Sequence, residues 1–525
     1  MKKRMLNCLV AAAVLALALT GCGGGQKSGD APAASGSAQG GGAGEAKDSL
    51  TIALTNEPTT LDPQLAADSI GGMIILNLHD PLVRRNPDGN VVPGLAETWE
   101  VADDGMSITF HLQEGVKFQD GSGLTAEDVA FSLNRAIDKP QSELYTSFMD
   151  SAEAVDGSTV KVNLKYKELA ALQYLTQTNS AIVSKAYVES VGDENYAAKP
   201  CGTGPYKLVE WQKGSKIILE SNEDYYRGAP AIKHIELRVL KEATTAMVAL
   251  ESGDVDLVYN IGGLDVMAVQ SNDKLGYQET NGTAIWNLAF NVNVEPFDDV
   301  KVRKALAMAV KRDDIIAGAM DGAGMPAEII LTDQTAPNPG ADAIDTPKYD
   351  VEGARALLAE AGYPDGFECS IFVNGDLRTR SAQILQAQLA DVGIKVDIST
   401  YEWGALLDTL NAGEHEMFLL GWSNTSFDPD GSTYQLFYSG NHGATGNRAF
   451  FSNDKVDELI LSAQRESEES KRMELYKELQ FVLHEESPWC PLYYKENNVG
   501  VRADLKGFTL HAGAQHYLGN CHYEE

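Results

Sequence analysis

The stretch Val92-Pro93-Gly94-Leu95-Ala96-Glu97-Thr98-Trp99-Glu100 runs through Asp104-Gly105 into Ser107 to Leu112. It continues through Gly115-Val116-Lys117-Phe118 and Asp120-Gly121 to Leu124-Thr125-Ala126-Glu127-Asp128-Val129. Within it, a run of alternating apolar and polar residues, Ser107 to Leu112, has the period of a half-buried strand. Asp-Gly pairs punctuate it as turns. Thr125, with Asp128 three residues on, has the form of a capping box, which pairs the first orphan backbone N–H groups of a helix carrying Val129, Phe131, Leu133 and Ala136. Strand, turn and capped helix follow one another within forty residues, which is the α/β pattern.

The same alternation extends outward. Leu50 to Thr55, Val160 to Leu164 and Lys216 to Glu220 read as strands, and Val300 to Ala309 and Arg378 to Val392 as amphipathic helices. Pro347 and Asp350 introduce a helix from Val351 to Ala361, which stops at Gly362. No repeat of fixed period is present, which excludes a solenoid.

At the N-terminus Lys2, Lys3 and Arg4 precede an apolar run from Met5 to Leu19, too short for an ordinary membrane-spanning helix and of the form of a secretory signal. The run ends in Leu19-Thr20-Gly21-Cys22, which resembles a bacterial lipobox. Residues 1–21 are therefore expected to be a removed leader, and Cys22 the lipidated first residue of a membrane-anchored protein outside the cytoplasm. Each buried acyl methylene contributes about 0.8 kcal/mol to such anchoring. Residues 22–47, rich in Gly, Ser and Ala, cannot bury enough apolar surface to fold and read as a tether. Behind them lie roughly 475 residues, more than a single core supports, so two or three packed domains are expected.

With 42 basic against 75 acidic residues the net charge is −33. Loss of three cations with the leader makes it more negative still. Nucleic acid and anionic lipid surfaces are thereby excluded as partners. After Cys22 come Cys201, Cys369, Cys490 and Cys521, with no CxxC spacing; this leaves one disulfide open and its pairing unassigned.

Motifs for chemistry are missing. No Ser has Gly at both −2 and +2, and neither His-Glu-x-x-His nor a phosphate loop occurs. Two Ser-x-x-Lys tetrads, Ser271 to Lys274 and Ser452 to Lys455, sit in polar turns without companion motifs. His511, His516, Cys521 and His522 are ligand-type side chains near a chain end, in no spacing that defines a metal site. The expectation is a binding protein, not an enzyme, with no cofactor and no metal.

The opening stretch, with Gly202-Thr203-Gly204-Pro205-Tyr206, Asn222 to Tyr226 with Gly228, Leu288 to Asn291, Val302-Arg303-Lys304-Ala305-Leu306 and Ala361-Gly362-Tyr363-Pro364, resembles the family 5 bacterial extracellular solute-binding proteins, the dipeptide, oligopeptide and nickel-complex group. Thr400-Tyr401-Glu402-Trp403, Gly421-Trp422 and Asp428-Pro429-Asp430 look like its dipeptide-binding branch. The resemblance spans residues 50 to 520. It implies an α/β, two-lobed periplasmic-binding-protein clamshell of the class II type with an extra subdomain in lobe I, closing by a hinge. By the family's layout lobe I takes residues 48–85, 179–286 and 495–525, the extra subdomain 86–178, and lobe II 287–494, with crossings near Trp286-Asn287 and Tyr494-Lys495. The implied role is a monomeric substrate-binding component that hands a peptide or peptide-like ligand to ABC permease and ATPase subunits. A nickel or haem complex, an opine, an oligosaccharide, or a surface receptor without a transporter are the alternatives.

In the dipeptide branch an aspartate after the Gly-Trp pair receives the ligand's α-amino group, and an arginine upstream of Thr400 its carboxylate. Here Thr425 and Phe372 stand at those positions, which argues against a free zwitterionic dipeptide. Trp422, Ser423, Asn424 and Thr425 remain as a polar loop under an aromatic lid. Trp403 is a packing residue or an aromatic wall, and Arg378 stands close enough in sequence to replace the lost arginine. Asp68 and Ser69 fall where the longer-peptide branch contacts ligand backbone. Asp428 and Asp430 read as caps of a helix starting near Ser432.

Overall fold

The computed structural model describes residues 47–524 apart from 87, 88, 345, 347, 444 and 445. The leader, Cys22 and most of the tether expected from the sequence lie outside the described residues, as does Pro347. From Ala46 onward the chain forms one compact unit, and among the described residues no helix is long and apolar enough to cross a membrane.

One eleven-stranded sheet runs through the molecule. Its order is Lys395–Thr400, Glu368–Val373, Met417–Ser423, Leu275–Phe290, Trp489–Arg502, Leu257–Tyr259, Ser49–Leu54, His234–Val239, Lys216–Ser221 and Tyr206–Gln212, with Gly324–Pro326 also on Trp489–Arg502. The two long central strands are antiparallel, and each serves both ends of the sheet. Leu275 to Asn281 pairs with Arg502 to Glu496, and Ala284 to Phe290 pairs with Ser423 to Met417. Between those halves the ladder slips: Asn281 faces Glu496 but Ile285 faces Tyr494. A bulge of this kind bends a strand and increases its twist. Gly282 lies in it, where a Cβ would come within 2.5 Å of the Lys495 carbonyl oxygen.

Separate cores flank this crossing, giving the two-lobed clamshell. In the first lobe Leu50, Ile52, Leu219, Leu237, Leu257 and Val499 pack with the helix Ser69–Leu78 and with Phe508, Leu518 and Cys521. A second core belongs to a four-stranded antiparallel sheet in the order Ala96–Val101, Ser107–Leu112, Thr159–Leu164, Met149–Ala154, covered by the helix Ala126–Ile137. Thr125 Oγ1 accepts from the Asp128 backbone N–H and Asp128 reaches back to Thr125, closing the box the sequence announces. The other lobe has a core on each face of its sheet. Leu288, Phe290, Val302, Leu306, Ile371 and Leu385 fill one, and Phe372, Phe418, Leu420, Leu459 and Tyr476 the other.

Local readings shift at their ends. The helix expected over Arg378 to Val392 spans Gly375–Ala390. Cys201, Cys369, Cys490 and Cys521 are all buried free thiols. The C-terminal segment is part of the first lobe: Leu518 N–H donates to Asn77 Oδ1 at 2.8 Å, and His516 stacks on Tyr259 at 4.6 Å.

The motif Gly202-Thr203-Gly204 owes its glycines to a close approach. Gly204 N–H donates to the Leu78 carbonyl at 3.0 Å, and a Cβ on Gly204 would stand 2.5 Å from the Leu78 carbonyl carbon. Backbone cannot yield as a flexible side chain does, and overpacking costs about 1–3 kcal/mol or more. Gly204→Ala is therefore expected to lower the urea unfolding midpoint clearly. An unchanged midpoint would show that this approach relaxes freely.

Candidate ligand-binding site

The strand Met417–Ser423 ends at the crossing strands and delivers a loop, residues 424–429, between the lobes. The sequence makes this loop rigid. Asn424 is buried; its backbone N–H donates to Thr283 O at 3.1 Å, and its Nδ2 to Asp428 O at 2.7 Å and Ser432 Oγ at 3.0 Å. Ser426 Oγ donates to Asn424 Oδ1 at 2.7 Å. Asp428 receives both guanidinium nitrogens of Arg472, at 2.7 and 2.8 Å, and also the Asp430 N–H at 2.9 Å. The following helix thus begins at Asp430, not near Ser432, with Asp428 tied to Arg472 as well as to the helix start. Phe427 sits in the left-handed region at φ 63°. Such strain in a non-glycine residue persists only where its surroundings hold it.

What holds it comes from the opposite side of the cleft. The Phe427 ring lies between the Arg85 guanidinium, 4.6 Å from its centroid, and the His511 ring at 5.4 Å. Arg85 Nη2 donates to Ser426 O at 2.7 Å, and Gln177 Nε2 to Thr425 O at 2.9 Å. Thr425 Oγ1 pairs with the Tyr145 hydroxyl at 3.1 Å, and Tyr174 donates to Asp430 Oδ2 at 2.7 Å. One lobe's loop is clasped from the other side by Arg85 and Gln177 and by Tyr145 and Tyr174, which stand on the short helices Glu143–Thr146 and Ala171–Tyr174.

The residues singled out from sequence occupy three places. Trp422, Ser423, Asn424 and Thr425 form the loop's entry. Trp422 is half-buried and its Nε1 donates to Gly431 O at 3.0 Å, Ser423 is exposed, and Asn424 spends its side chain inside the loop. The space they line with Tyr145 and Tyr174 is only about 10 Å³, the size of a single water at most. Phe372 is 9 % exposed, meets Tyr401 in a tilted ring contact at 5.0 Å and belongs to the core. Arg378 lies over Trp286 at 4.6 Å and Trp403 at 5.4 Å; its Nη1 donates to Asn374 O, its Nε has no partner, and burial lowers its pKa. Trp403 is 48 % exposed, so it walls this guanidinium more than it packs. The two groups adjoin through Gly421, whose Cβ would meet the Trp286 ring at 2.9 Å. Asp68 instead caps the helix Ser69–Leu78, accepting from Gly71 N–H at 2.7 Å and Thr59 Oγ1 at 2.7 Å, and Ser69 is the exposed first residue of that helix.

Arg85, Gln173 and Phe427 carry no signal in the sequence, and His511 stands out there only as one of four ligand-type side chains near the chain end. They line a cleft of about 810 Å³ between the lobes, beyond the Phe427 ring. No local motif announces them, because they come from four distant segments. His511 and His516 serve packing: burial lowers their pKa values to about 4 and about 3, and His516 Nδ1 accepts from the His511 N–H. Among the described residues no three His, Cys, Asp or Glu side chains converge as metal ligands.

Carboxylates crowd the clasp. Burial, then the nearby Asp428 charge, pushes Asp430 up to about 6, although Tyr174 donates to it. Burial, then Asp430, raises Glu168 well above the usual carboxylate range. Arg472 is the one guanidinium that both experience, and Tyr166, Tyr434, Tyr476 and Gln464 complete the surroundings. In the unfolded chain Asp430 ionises near pH 4, whereas in the fold it keeps its proton to about 6. The folded state binds the extra proton between these values, so this group's contribution to stability falls as pH rises from about 4 to 6. Asp430→Asn keeps an acceptor for Tyr174 without the charge. Its stability relative to wild type should rise by at most roughly 3 kcal/mol between pH 4 and 7, measured as urea midpoints across that range; a constant difference would place a charged, well-solvated Asp430 in the fold.

The family model for bacterial extracellular solute-binding proteins, family 5, middle segment, matches residues 90–444. The chain is 31 % identical over 450 residues to heme-binding protein A of Haemophilus influenzae, covering 80 % of this chain and 82 % of that one. It is 31 % identical over 466 residues to the dipeptide-binding protein of Escherichia coli, covering 83 % and 86 %. Its structure resembles that of the periplasmic binding protein DppA from Helicobacter pylori in complex with the peptide STSA, with a TM-score of 0.83 at 28 % identity over 91 % of this chain and 99 % of that one. A clamshell with a clasped interlobe loop and a family match through most of the folded chain lead to one assignment: the protein belongs to family 5 of the bacterial extracellular solute-binding proteins.

Proposed function

We propose that this protein is the substrate-binding component of an ABC importer, capturing a peptide or peptide-like solute outside the cytoplasmic membrane and delivering it to permease and ATPase subunits. The observation that carries the reading is the loop 424–430, held by one lobe's own hydrogen bonds and clasped by the other side of the cleft through Arg85, Tyr145, Tyr174 and Gln177. Contacts of this kind form only when the lobes meet, so a ligand that bridges the lobes shifts the balance toward closure. The hinge is assigned to the slipped ladder at Asn281 to Ile285 and Glu496 to Tyr494. Lobe I would then hold 48–85, 179–286 and 495–525 with the subdomain 86–178, and lobe II 287–494. Relatives named for dipeptide binding and a neighbour holding a peptide support the ligand class.

Ligand selection is assigned to Trp422, Ser423 and Thr425 with Arg378 and Trp403. Arg378 favours a solute with an acidic group, because a guanidinium stacked between Trp286 and Trp403 has no carboxylate among its recorded partners. That feature also fits an opine, and a similar structure, AgaA, is in complex with agropinic acid (TM-score 0.80, 29 % identity, 91 % of this chain). Phe372 supports the site by packing in its core and Asp68 by capping its helix, and Asp68 with Ser69 is assigned to contact ligand backbone.

Residues 48–525 should unfold at higher temperature with di- to pentapeptides, by the equivalent of about 2.7 kcal/mol at one hundred times Kd. Opines, oligosaccharides and nickel chelates run in the same screen. Shifts with one of those and none with peptides would replace the ligand class and leave the importer role standing. For the anchor, we propose that Cys22 carries diacylglycerol. Cys22→Ser should move the protein from the membrane to the soluble fraction on centrifugation; retention in the membrane would reject lipidation at Cys22.

A further inference from the structure

A second, smaller pocket is lined by segments 76–92 and 507–520 with Thr176 and Arg227, none of them from the lobe that carries loop 424–430. Its volume is about 190 Å³, below the roughly 300–1,000 Å³ of sites for drug-sized ligands, so it suits a group of a few heavy atoms. In a chain of net charge −33, the guanidiniums of Arg84, Arg85 and Arg227 meet in its wall. Asp80 is the one carboxylate in that wall among the described residues; it is wholly buried and paired with Arg84 at 2.9 Å. Three cations against one carboxylate leave an excess of positive charge, and low-dielectric walls concentrate its field.

The three arginines differ in what they have left to give. Arg84 is fixed: Nη1 donates to Asp80 Oδ1 at 2.9 Å and to the Tyr225 hydroxyl at 3.0 Å, and the guanidinium lies 4.2 Å from the Tyr517 ring centroid. Its Nε and Nη2 have no hydrogen-bond partner among the described residues and are not sealed from solvent. Arg227 is exposed at the pocket, near enough for its charge to act on Asp80, and makes no ion pair among the described residues. Arg85 has spent Nη1 and Nη2 on the Gly89 and Ser426 carbonyls. Those bonds hold the guanidinium without cancelling its charge, and burial lowers its pKa only to about 10, so it stays cationic at neutral pH. Asp428, whose charge also reaches Arg85, is paired with Arg472. The His511 ring in the same wall is neutral, because burial lowers its pKa to about 4. Two guanidinium forks with free donors beside one small space, backed by a third fixed charge, match the oxygens of a phosphate or carboxylate group.

We propose that this pocket binds a small oxyanion, a phosphate or carboxylate group, with Arg84 Nε–H, Arg84 Nη2–H and the Arg227 guanidinium donating to its oxygens. Arg85 contributes charge without a contact. The site is distinct from the space beside Thr425 and from Arg378, and it stands whether or not the transported solute is a peptide. Arg85 and His511 border both this pocket and the interlobe cleft. The oxyanion therefore has two sources to be told apart: a free ion held beside the cleft, or the acidic group of a solute within it.

Titration calorimetry of the whole protein in detergent, in a zwitterionic buffer at constant chloride, tests this with inorganic phosphate and succinate. Arg227→Ala removes one fork, and Thr509→Glu places a carboxylate at the pocket from an exposed position. Each is expected to weaken anion binding at least tenfold while the unliganded unfolding midpoint stays at the wild-type value. Binding of neither anion by wild type, or an affinity unchanged in either variant, would overturn the site and leave the importer role standing. Agropinic acid, titrated into wild type and Arg227→Ala, separates the sources. A tenfold loss in the variant assigns the oxyanion to the solute; agropinic acid binding that is absent or unchanged, with phosphate binding lost, assigns it to a free ion.

Discussion

Two antiparallel strands, Leu275–Phe290 and Trp489–Arg502, are the constraint on which the rest of the molecule depends. Each belongs to both lobes, so the lobes share one hydrogen-bonded ladder. Backbone N–H and C=O groups must be paired when buried, and this ladder pairs them across the junction. The pairing is interrupted between Asn281 and Ile285 and again between Trp286 and Asn287, and such irregularities bend a strand and increase its twist. Gly282 is required there by the approach of the Lys495 carbonyl. Rigidity within lobes and compliance between them thus have a common source.

Loop 424–430 inherits its position from that ladder, since Ala284 pairs with Ser423 immediately before the chain turns into the cleft. Its electrostatics are costly. Asp428 is matched by Arg472 in a two-pronged buried pair, and Asp430 and Glu168 share its surroundings, where burial raises both their pKa values. Buried ion pairs contribute little net stability, and breaking one by removing a partner costs several kcal/mol. Their use here is geometric: Arg472 holds Asp428, Asp428 holds the helix start at Asp430, and the turn between them presents Phe427 in a backbone conformation that an isolated peptide would avoid. A clasp built this way closes in one geometry, which a solute-binding protein needs if open and closed forms are to be distinct to its permease.

Much of the fold is legible in the sequence, for local reasons. Thr125 and Asp128 announce their helix because both partners of the capping box lie within one turn. Val300 to Ala309 has the helical period of a face packed on a core, and the structure has a helix over Val300–Ala309. The motif Gly202-Thr203-Gly204 carries the resemblance, and only the structure shows that its glycines answer the close approach of Leu78. Phe372 is harder to place: which face of its strand meets the second core of its lobe depends on Phe418 and Tyr401 from other segments. Asp68 falls where the longer-peptide branch contacts ligand backbone, and that it also caps the helix Ser69–Leu78 through Gly71 and Thr59 shows only in the structure.

By itself the sequence determined the α/β class, the family and the loop that enters the cleft, because periodicity, caps and ordered motifs are properties of neighbours along the chain. Tertiary structure alone decided that Thr425 meets Tyr145, that Arg378 is walled by Trp286 and Trp403, and that Arg85, Gln173, Phe427 and His511 line one cleft. These residues come from separate segments of the chain, and no local spacing encodes a meeting that only the packing of two lobes on shared strands brings about.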